Sequence, residues 1–455
     1  MINVHFIAIG GSVMHQLAIA LSRKGDVVTG SDDEIFEPAK SNLERQGLLP
    51  EKMGWDAEKI TTNLDAIILG MHAKDDNPEL IKANEIGLKI YSFPEYIFEE
   101  SRNKTRIVVG GSHGKTTVTS MIMHVFKESR QPFDYLVGAR LKGFPQSVNI
   151  TDAPVIICEG DEYPASTLEK RPKFHFLYPH IAIITGIAWD HVNVFPTFDF
   201  YLKQFIIFIN KMESGGTLIY NETDNILMKL VKENKREDIH YKPYSIPQHE
   251  VKNGITSITI DGETTSLQVF GNHNLLNLQA AYLACTSYGI SASLFMNAIG
   301  TFTGAAKRLE IIASDKTTTI FRDFAHAPSK VKATINAVKN QFLDRKLYAV
   351  LELHTYSSLS KSFLNQYAGA MDEADVAIVF YSHHALHVKR LPDLNEQDIM
   401  NGFAKKDMIV INDKEELWQW LVKQDYQNTS LLLMSSGDYD GLPLHELIEK
   451  VRSDN

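Results

Sequence analysis

At 455 residues the chain is too long for one ordinary hydrophobic core, and a scale of about 150 residues per domain predicts three domains. Its 44% hydrophobic and 22% charged content is that of a globular protein able to bury sizeable cores. The net charge of −10 is spread along the chain, which argues against non-specific nucleic-acid binding and leaves anionic ligands to local basic or backbone sites.

Cys158 and Cys285 are far apart, without metal-ligand spacing, and read as core fillers in a reducing compartment. The amino terminus has no basic flank or cleavage site, and no run of about 18 apolar residues occurs anywhere, so a cytoplasmic protein without a membrane partner is expected.

Taken in order, Val4 to Ile9 is an apolar run that predicts a strand ending in Gly10-Gly11-Ser12, followed by a helix over Met14 to Ser22. A second strand, Val27 to Gly30, leads to Ser31-Asp32-Asp33. Glycines at a first turn with an acid about twenty positions later form a nucleotide-binding βαβ pattern in which Asp32 meets a ribose or caps a turn. The third glycine of GxGxxG is absent, which separates the stretch from a dehydrogenase fingerprint. Further strands are predicted at Ala66 to Gly70, before Met71-His72-Ala73, and at Ile90 to Ser92, before a helix near Pro94. The first domain is expected to end in the polar stretch Glu99 to Lys104.

A second apolar run, Ile107 to Val109, delivers Gly110-Gly111-Ser112-His113-Gly114-Lys115-Thr116-Thr117 into a helix over Val118 to Val125. That is the layout of a phosphate cradle. Glycines let backbone N–H groups approach phosphate oxygens, the helix start adds positive partial charge, Lys115 reaches the β and γ phosphates, and Thr116 holds Mg²⁺. Val109 stands where the strict GxxxxGK[ST] pattern begins with glycine.

Downstream, Val155 to Cys158 is a buried-strand run ending in Glu159-Gly160-Asp161-Glu162, and Ile181 to Gly186 is another, ending near Asp190-His191. Parallel strands present functional groups at their carboxyl ends, so Glu159 and His191 are candidates for a Mg²⁺ shell with Thr116, although magnesium prefers oxygen ligands. A hairpin is expected at Asp261-Gly262. Gly271-Asn272-His273-Asn274-Leu275-Leu276-Asn277 opens a helix over Leu278 to Tyr288, its amides serving as helix caps or as readers of an adenine edge. After Lys307-Arg308-Leu309-Glu310, strands at Ile320 to Asp323, Lys346 to Leu353, Val376 to Tyr381 and Ser430 to Met434 alternate with helical segments, a second doubly wound α/β unit.

Together, the glycine-rich first turn, GGSHGKTT, the acidic strand end, Trp189-Asp190-His191, GNHNLLN, Lys307-Arg308-Leu309-Glu310 and Asp323-Phe324-Ala325-His326-Ala327-Pro328 resemble the Mur ligase family in its own order, nearly from end to end. The resemblance implies an α/β protein of three domains. These are a Rossmann-like UDP-sugar-binding domain over 1–103, a central P-loop-type ATPase domain with a parallel sheet over 104–308, and a Rossmann-like acceptor domain over 309–455. It implies an ATP- and Mg²⁺-dependent amide ligase of peptidoglycan synthesis working through an acyl phosphate. Lys115, His191 and Arg308 would be catalytic. Gly111, Ser112, His113, Gly114, Lys115, Thr116 and Thr117 would hold ATP phosphates, with His273, Asn274 and Asn277 at the adenine, Asp323 at the ribose, and Arg308 and His326 at the phosphates. Gly10, Gly11, Ser12, Ser31, Asp32 and His72 would bind UDP-N-acetylmuramate, and Thr116, Glu159 and His191 the metal.

Within the family, His113 and Gly30-Ser31-Asp32 resemble the branch acting directly on UDP-N-acetylmuramate. The segment Asp161-Glu162-Tyr163 through Glu169-Lys170-Arg171-Pro172-Lys173-Phe174 is similar to the murein peptide ligases of that branch, which attach a recovered tripeptide, L-Ala-γ-D-Glu-meso-diaminopimelate. Attachment of L-alanine alone is the alternative, and a nucleotide sensor that kept the fold and lost ligation is a third reading. Arg322 and Ala327 depart from the pattern, standing where relatives usually carry Asp and a second His, and Glu352-Leu353-His354-Thr355 lacks the arginine that the tripeptide ligases generally carry after their Glu-Pro. Asp76-Asn77-Pro78-Glu79 only echoes the family's diaminopimelate motif, in the wrong domain.

Overall fold

The computed structural model describes residues 1–453 except 139, 140, 142, 167, 190–193, 253 and 305–307. The first four apolar runs pair as a wholly parallel sheet, in the order β2-β1-β3-β4, from β1 (Asn3–Ile7), β2 (Val27–Ser31), β3 (Ala66–Leu69) and β4 (Ile90–Ser92). Parallel neighbours need crossovers, supplied here by α1 (Met14–Lys24), α2 (Ala39–Glu44) and α3 (Pro78–Glu85). β1 stops two residues short of the expected end. Ser31 O accepts the N–H groups of both Ala8 (2.9 Å) and Ile9 (3.1 Å), and Ala8 turns to φ +67°, so the chain leaves the ladder before Gly10. α4 (Phe93–Ser101) follows β4 at once, its start fixed by a capping box between Ser92 and Glu95.

Seven strands form the next sheet, ordered β11-β10-β9-β5-β8-β6-β7 and parallel except for β7. They are β5 (Thr105–Gly110), β6 (Asp134–Leu136), β7 (Val148–Asn149), β8 (Val155–Glu159), β9 (Ile181–Ile184), β10 (Thr217–Asn221) and β11 (His240–Tyr244). Helices α5 (Lys115–Glu128), α6 (Phe198–Asn210) and α7 (Asn225–Glu233) alternate with them. Val108, Phe174, Phe205 and Phe208 are fully buried in the core. Cys158 and Cys285 are buried and unbridged, as expected of core fillers, and burial pushes the Cys158 thiol up to about 12.

The chain divides into two compact units, Met1–Ile246 with Leu276–Ile299, which holds both sheets above, and Pro247–Leu275 with Gly300–Asn455. The second unit contains an antiparallel sheet of β12 (Gln248–Lys252), β13 (Ile255–Ile260) and β14 (Glu263–Leu267), so the expected hairpin gains a third strand. Helices α8 (Asn272–Tyr288) and α9 (Ala292–Ile299) follow, and α8 begins six residues earlier than its apolar periodicity suggests.

The last sheet is ordered β15-β16-β20-β17-β18-β19, with β15 (Glu310–Ser314) antiparallel to β16 (Thr319–Asp323) and the remainder parallel. Its strands β17 (Lys346–Leu353), β18 (Val376–Tyr381), β19 (Ile409–Ile411) and β20 (Thr429–Met434) alternate with α10 (Pro328–Gln341), α11 (His383–Val388), α12 (Glu396–Phe403) and α13 (Lys414–Lys423), and α14 (Leu444–Ser453) closes the chain. The α/β class expected from the sequence is the one observed. Among the described residues no helix is long and apolar enough to cross a membrane.

The Asp76-Asn77-Pro78-Glu79 echo has a structural explanation. Asn77 caps α3 by accepting N–H groups from Glu79 (2.9 Å) and Leu80 (3.1 Å), with Pro78 in the first turn. The Glu79 side chain turns inward, where it meets the ring of His5 at 3.2 Å and accepts the Asp56 N–H at 2.9 Å. His5 and Glu79 have no exposed side-chain surface, and the other ring nitrogen of His5 lies 2.8 Å from Thr29 Oγ1. Burial raises the Glu79 carboxyl, but its hydrogen bonds to His5, Asp56 and Ser31 outweigh that and hold it below the usual range. A depressed carboxyl contributes stability that is complete above the unfolded value, about 4.3, and is lost as pH falls below it. Glu79→Ala is therefore expected to lower stability by about 3 kcal/mol in urea titrations at pH 7, with the deficit shrinking toward pH 3.

Candidate active site

β5, β8 and β9 lie side by side and parallel, so the segments leaving their carboxyl ends converge. Gly111 (φ +123°) and Gly114 (φ +82°) turn the chain between β5 and α5. A Cβ on Gly111 would collide with Thr185 Oγ1, and one on Gly114 with Asn277 Oδ1, so only glycine fits either place. The Ser112 N–H donates to Gly186 O at 2.9 Å, and Ser112 Oγ accepts the Ala188 N–H at 2.8 Å and lies 2.8 Å from Tyr201 Oη. Thr185 Oγ1 donates to the His113 carbonyl. Thr117 is buried in the first turn of α5. The turn is thus clamped from β9 and α6.

Lys115 Nζ donates to Gly111 O and to Glu162 Oε2, both at 2.7 Å. Glu162 is only 1% exposed, and Tyr201 Oη donates to its other oxygen at 3.4 Å. Thr116 Oγ1 donates to Glu159 Oε1 at 2.7 Å, while Glu159 Oε2 accepts the Gly138 N–H at 3.0 Å. A threonine hydroxyl beside a carboxylate is a hard-oxygen pair that suits Mg²⁺, which keeps part of its water shell and takes few protein ligands. His191 lies outside the described residues. Among those described, no cluster of three or more His, Cys, Asp and Glu is placed to hold a metal. The sequence did not assign Glu162 or Tyr201 to Lys115. Glu162 stood out only as part of the acidic strand end and of the Asp161-Glu162-Tyr163 resemblance, and for Tyr201 there was no signal, because its role depends on α6 crossing the cradle.

At the amino-terminal turn, Gly10, Gly11 and Ser12 leave β1 beside the end of β2. Asp32 accepts the Gly10 N–H at 2.7 Å and is buried, which drives its carboxyl up to about 6 against the lowering effect of that bond. Of the two readings of Asp32, the turn cap is the contact seen. Ser31 is buried and accepts a hydrogen bond from Lys59 Nζ at 3.0 Å, and His72 is exposed just after β3.

In the second unit, Asp323 at the end of β16 accepts N–H groups from Ala325 (2.6 Å) and Leu309, so both carboxylate oxygens serve backbone. Its burial pushes the carboxyl up to about 6. His326 Nδ1 lies 2.8 Å from Phe324 O, and its carbonyl accepts from Tyr367 Oη. The Arg308 guanidinium stacks 5.1 Å from the Phe324 ring centre. Arg322, at the position of a usual Asp, pairs with Glu310 at 2.8 Å across the β15–β16 ladder. Ala327 is the residue before α10, and His354 Nδ1 sits 3.5 Å from the buried Glu352.

His273 and Asn274 also belong to this unit, whereas Asn277 belongs to the first. Asn274 Nδ2 donates to Phe270 O at 2.9 Å, tying the start of α8 to the preceding turn. His273 lines a cavity of about 340 Å³ with Val251, Leu275, Asn336 and Ala337, and burial drives its imidazole down to about 4.

The Glu169 to Phe174 segment is largely scaffolding. Lys173 pairs with Asp161 at 2.7 Å, and the Phe174 ring stacks 4.6 Å from that of Phe208. Arg171 pairs with Glu169 at 2.6 Å and lies 4.4 Å from the Phe176 ring centre.

Three family models match in sequence: Mur ligase family, catalytic domain, over 3–105; Mur ligase middle domain, over 109–285; and Mur ligase, glutamate ligase domain, over 307–437. A UDP-N-acetylmuramate–L-alanine ligase from Sulfurihydrogenibium sp. is 30% identical over 388 residues, 83% of this chain and 82% of that protein. The chain belongs to the Mur ligase family. Members are ATP-dependent ligases that form C–N bonds, and this chain is an enzyme of that class. In fold, this Mur ligase is similar to a UDP-N-acetylmuramate–alanine ligase from Thermotoga maritima, with TM-score 0.68, 20% identity and full coverage of both chains. It is also similar to a murein peptide ligase from Psychrobacter arcticus, with TM-score 0.60, 20% identity and 99% coverage of both.

The lowered imidazole of His273 has a testable consequence. A His neutral when folded contributes stability that is present above about pH 6.5 and is lost as pH falls toward 4, because the unfolded chain takes up the proton first. Between pH 7 and pH 4.5, His273→Gln is expected to lose less of its urea-unfolding free energy than the wild type of this Mur ligase.

Proposed function

We propose that this Mur ligase joins the lactyl carboxylate of UDP-N-acetylmuramate to the amine of an L-alanyl acceptor, with Mg²⁺ and ATP. The observation that carries the reading is the pair of contacts at the cradle, Lys115 to Glu162 and Thr116 to Glu159. They hold an ammonium and a hydroxyl–carboxylate pair at the carboxyl ends of adjacent strands, beside glycines that leave backbone bare. Bound MgATP supplies the phosphoryl group that activates the carboxylate. Everything else falls to the chain's own residues. Lys115 offsets phosphate charge, Thr116 and Glu159 present oxygen ligands to the metal, and Glu162 with Tyr201 keeps the ammonium at the cradle. No covalent bond between the enzyme and substrate is required.

Residues 1–103 are assigned to the UDP-sugar, 104–308 to ATP and 309–455 to the acceptor. By resemblance, His191 completes the metal shell, His273, Asn274 and Asn277 take the adenine, Arg308 and His326 meet phosphate, and Asp323 meets the ribose. A neutral His273 beside Asn336 suits an uncharged heteroaromatic ring. Substrates of this kind are nucleotides, which fits a cytoplasmic enzyme.

For the acceptor we favour the tripeptide L-Ala-γ-D-Glu-meso-diaminopimelate, on the likeness of the Asp161 to Phe174 segment to murein peptide ligases. A second reading, L-alanine itself, is favoured by the curated relatives named as L-alanine ligases, among them one from Carboxydothermus hydrogenoformans, 27% identical over 453 residues covering 96% of this chain and 94% of that one. Phosphate release with ATP, Mg²⁺ and UDP-N-acetylmuramate distinguishes them. Tripeptide-dependent release with little response to L-alanine is expected; alanine-dependent release selects the second reading, and no release with either overturns both.

Two substitutions examine the cradle. Lys115→Ala is expected to lower kcat/KM by about 10²- to 10³-fold with an unchanged circular dichroism spectrum. Glu159→Ala should raise the Mg²⁺ concentration needed for half-maximal rate; an unchanged magnesium titration would count against Glu159 as a metal ligand.

A further inference from the structure

The residues assigned to the UDP-sugar include no permanently charged cation, so a diphosphate there would be met by the backbone N–H groups of the glycine turn alone unless another side chain supplies positive charge. Lys59 is placed to supply it. It ends the short 3-10 turn Ala57–Lys59, and its Nζ donates to Ser31 Oγ at 3.0 Å, at the carboxyl end of β2. That same residue's carbonyl receives the Ala8 and Ile9 N–H groups, the last two before Gly10. The ammonium is thus tied to the residue whose carbonyl anchors the entry to the glycine turn. It has three donors, of which one is used on Ser31, and among the described residues no carboxylate pairs with it.

A lysine on a surface loop usually wanders, but this loop is fastened twice just before its turn. The Gly54 N–H donates to Asp32 O at 2.7 Å, and the Asp56 N–H donates to Glu79 Oε1 at 2.9 Å. Asp56 also caps the turn by accepting the Glu58 N–H at 3.0 Å. Glu79 is held in turn by His5 and interacts with the Ser31 side chain, so one buried carboxylate organises both Ser31 and the backbone that carries Lys59.

We propose that Lys59 is a substrate-binding residue whose ammonium pairs with the diphosphate of the nucleotide-sugar, and that the buried Glu79–His5 pair is the positioning element that keeps its loop in place. This rests on the assignment of the amino-terminal sheet to the UDP-sugar made above. An ion pair with one ordered phosphate is worth about tenfold in affinity.

The test uses the full chain, with Lys59→Met and Lys59→Arg, and measures calorimetric dissociation constants for UDP-N-acetylmuramate, UDP and ATP at low and high salt. Lys59→Met is expected to bind both uridine nucleotides about tenfold more weakly, to show a shallower salt dependence for them, and to bind ATP as the wild type does. Lys59→Arg should stay within about threefold of the wild type. Unchanged uridine-nucleotide affinity in Lys59→Met, or an equal loss for ATP, overturns the role of Lys59. A wild type that binds ATP but neither uridine nucleotide overturns the UDP-sugar assignment itself, and this inference with it.

Discussion

Strands buried on both faces have one outlet for polar chemistry, their ends, and this constraint organises the chain. β5, β8 and β9 are apolar through their centres because helices cover both sides of the sheet, so Lys115, Thr116, Glu159 and Glu162 lie where the backbone leaves the core. Sheet order then does the rest. Since β5 sits between β8 and β9, the glycine turn after β5 is flanked by the acidic segment after β8 and by Thr185 and Gly186 after β9.

The same arrangement accounts for how a mobile ammonium is held. Lys115 spans from the start of α5 back to Gly111 O and across to Glu162, a carboxylate almost without solvent contact. A buried carboxylate with no cation is costly, and so is a lysine with no acceptor; together they hold each other in register until an anionic ligand competes. Glu159 and Gly138 play the equivalent part for Thr116. Similar economy is seen at the first sheet, where Asp32 caps the glycine turn and Glu79 braces the loop that carries Lys59.

One departure from the family pattern, Arg322, has a local explanation in the second unit. Arg322 and Glu310 face one another in the antiparallel register of β15 and β16, so the arginine completes a cross-strand pair. Asp323 uses both carboxylate oxygens to fold the turn that carries His326. The Lys173 and Phe174 side chains, prominent in the resemblance to tripeptide ligases, brace the acidic segment against the core, which makes that segment a mark of scaffold kinship as much as of acceptor choice.

Length, hydrophobic period and the position of glycines by themselves determined the α/β class, most of the long buried strands, and the cradle with Lys115 and Thr116, because these depend on neighbours within one turn or one strand; β6, β7, β10, β11, β12, β15 and β19 carried no such signal. Strand ends were legible only to within a few residues: β1 stops early because a carbonyl from β2 captures its next two N–H groups, and α8 starts early because the first turn is polar yet tied back to Phe270. What only the tertiary structure decided are the partners. Glu162 at Lys115, Tyr201 at Glu162, Asp56 and His5 at Glu79, and Ser31 at Lys59 come from distant parts of the chain, and no local period encodes which buried polar groups will meet. They are chosen when the sheets and helices pack, since a buried donor or acceptor must be satisfied by whatever the fold brings within reach.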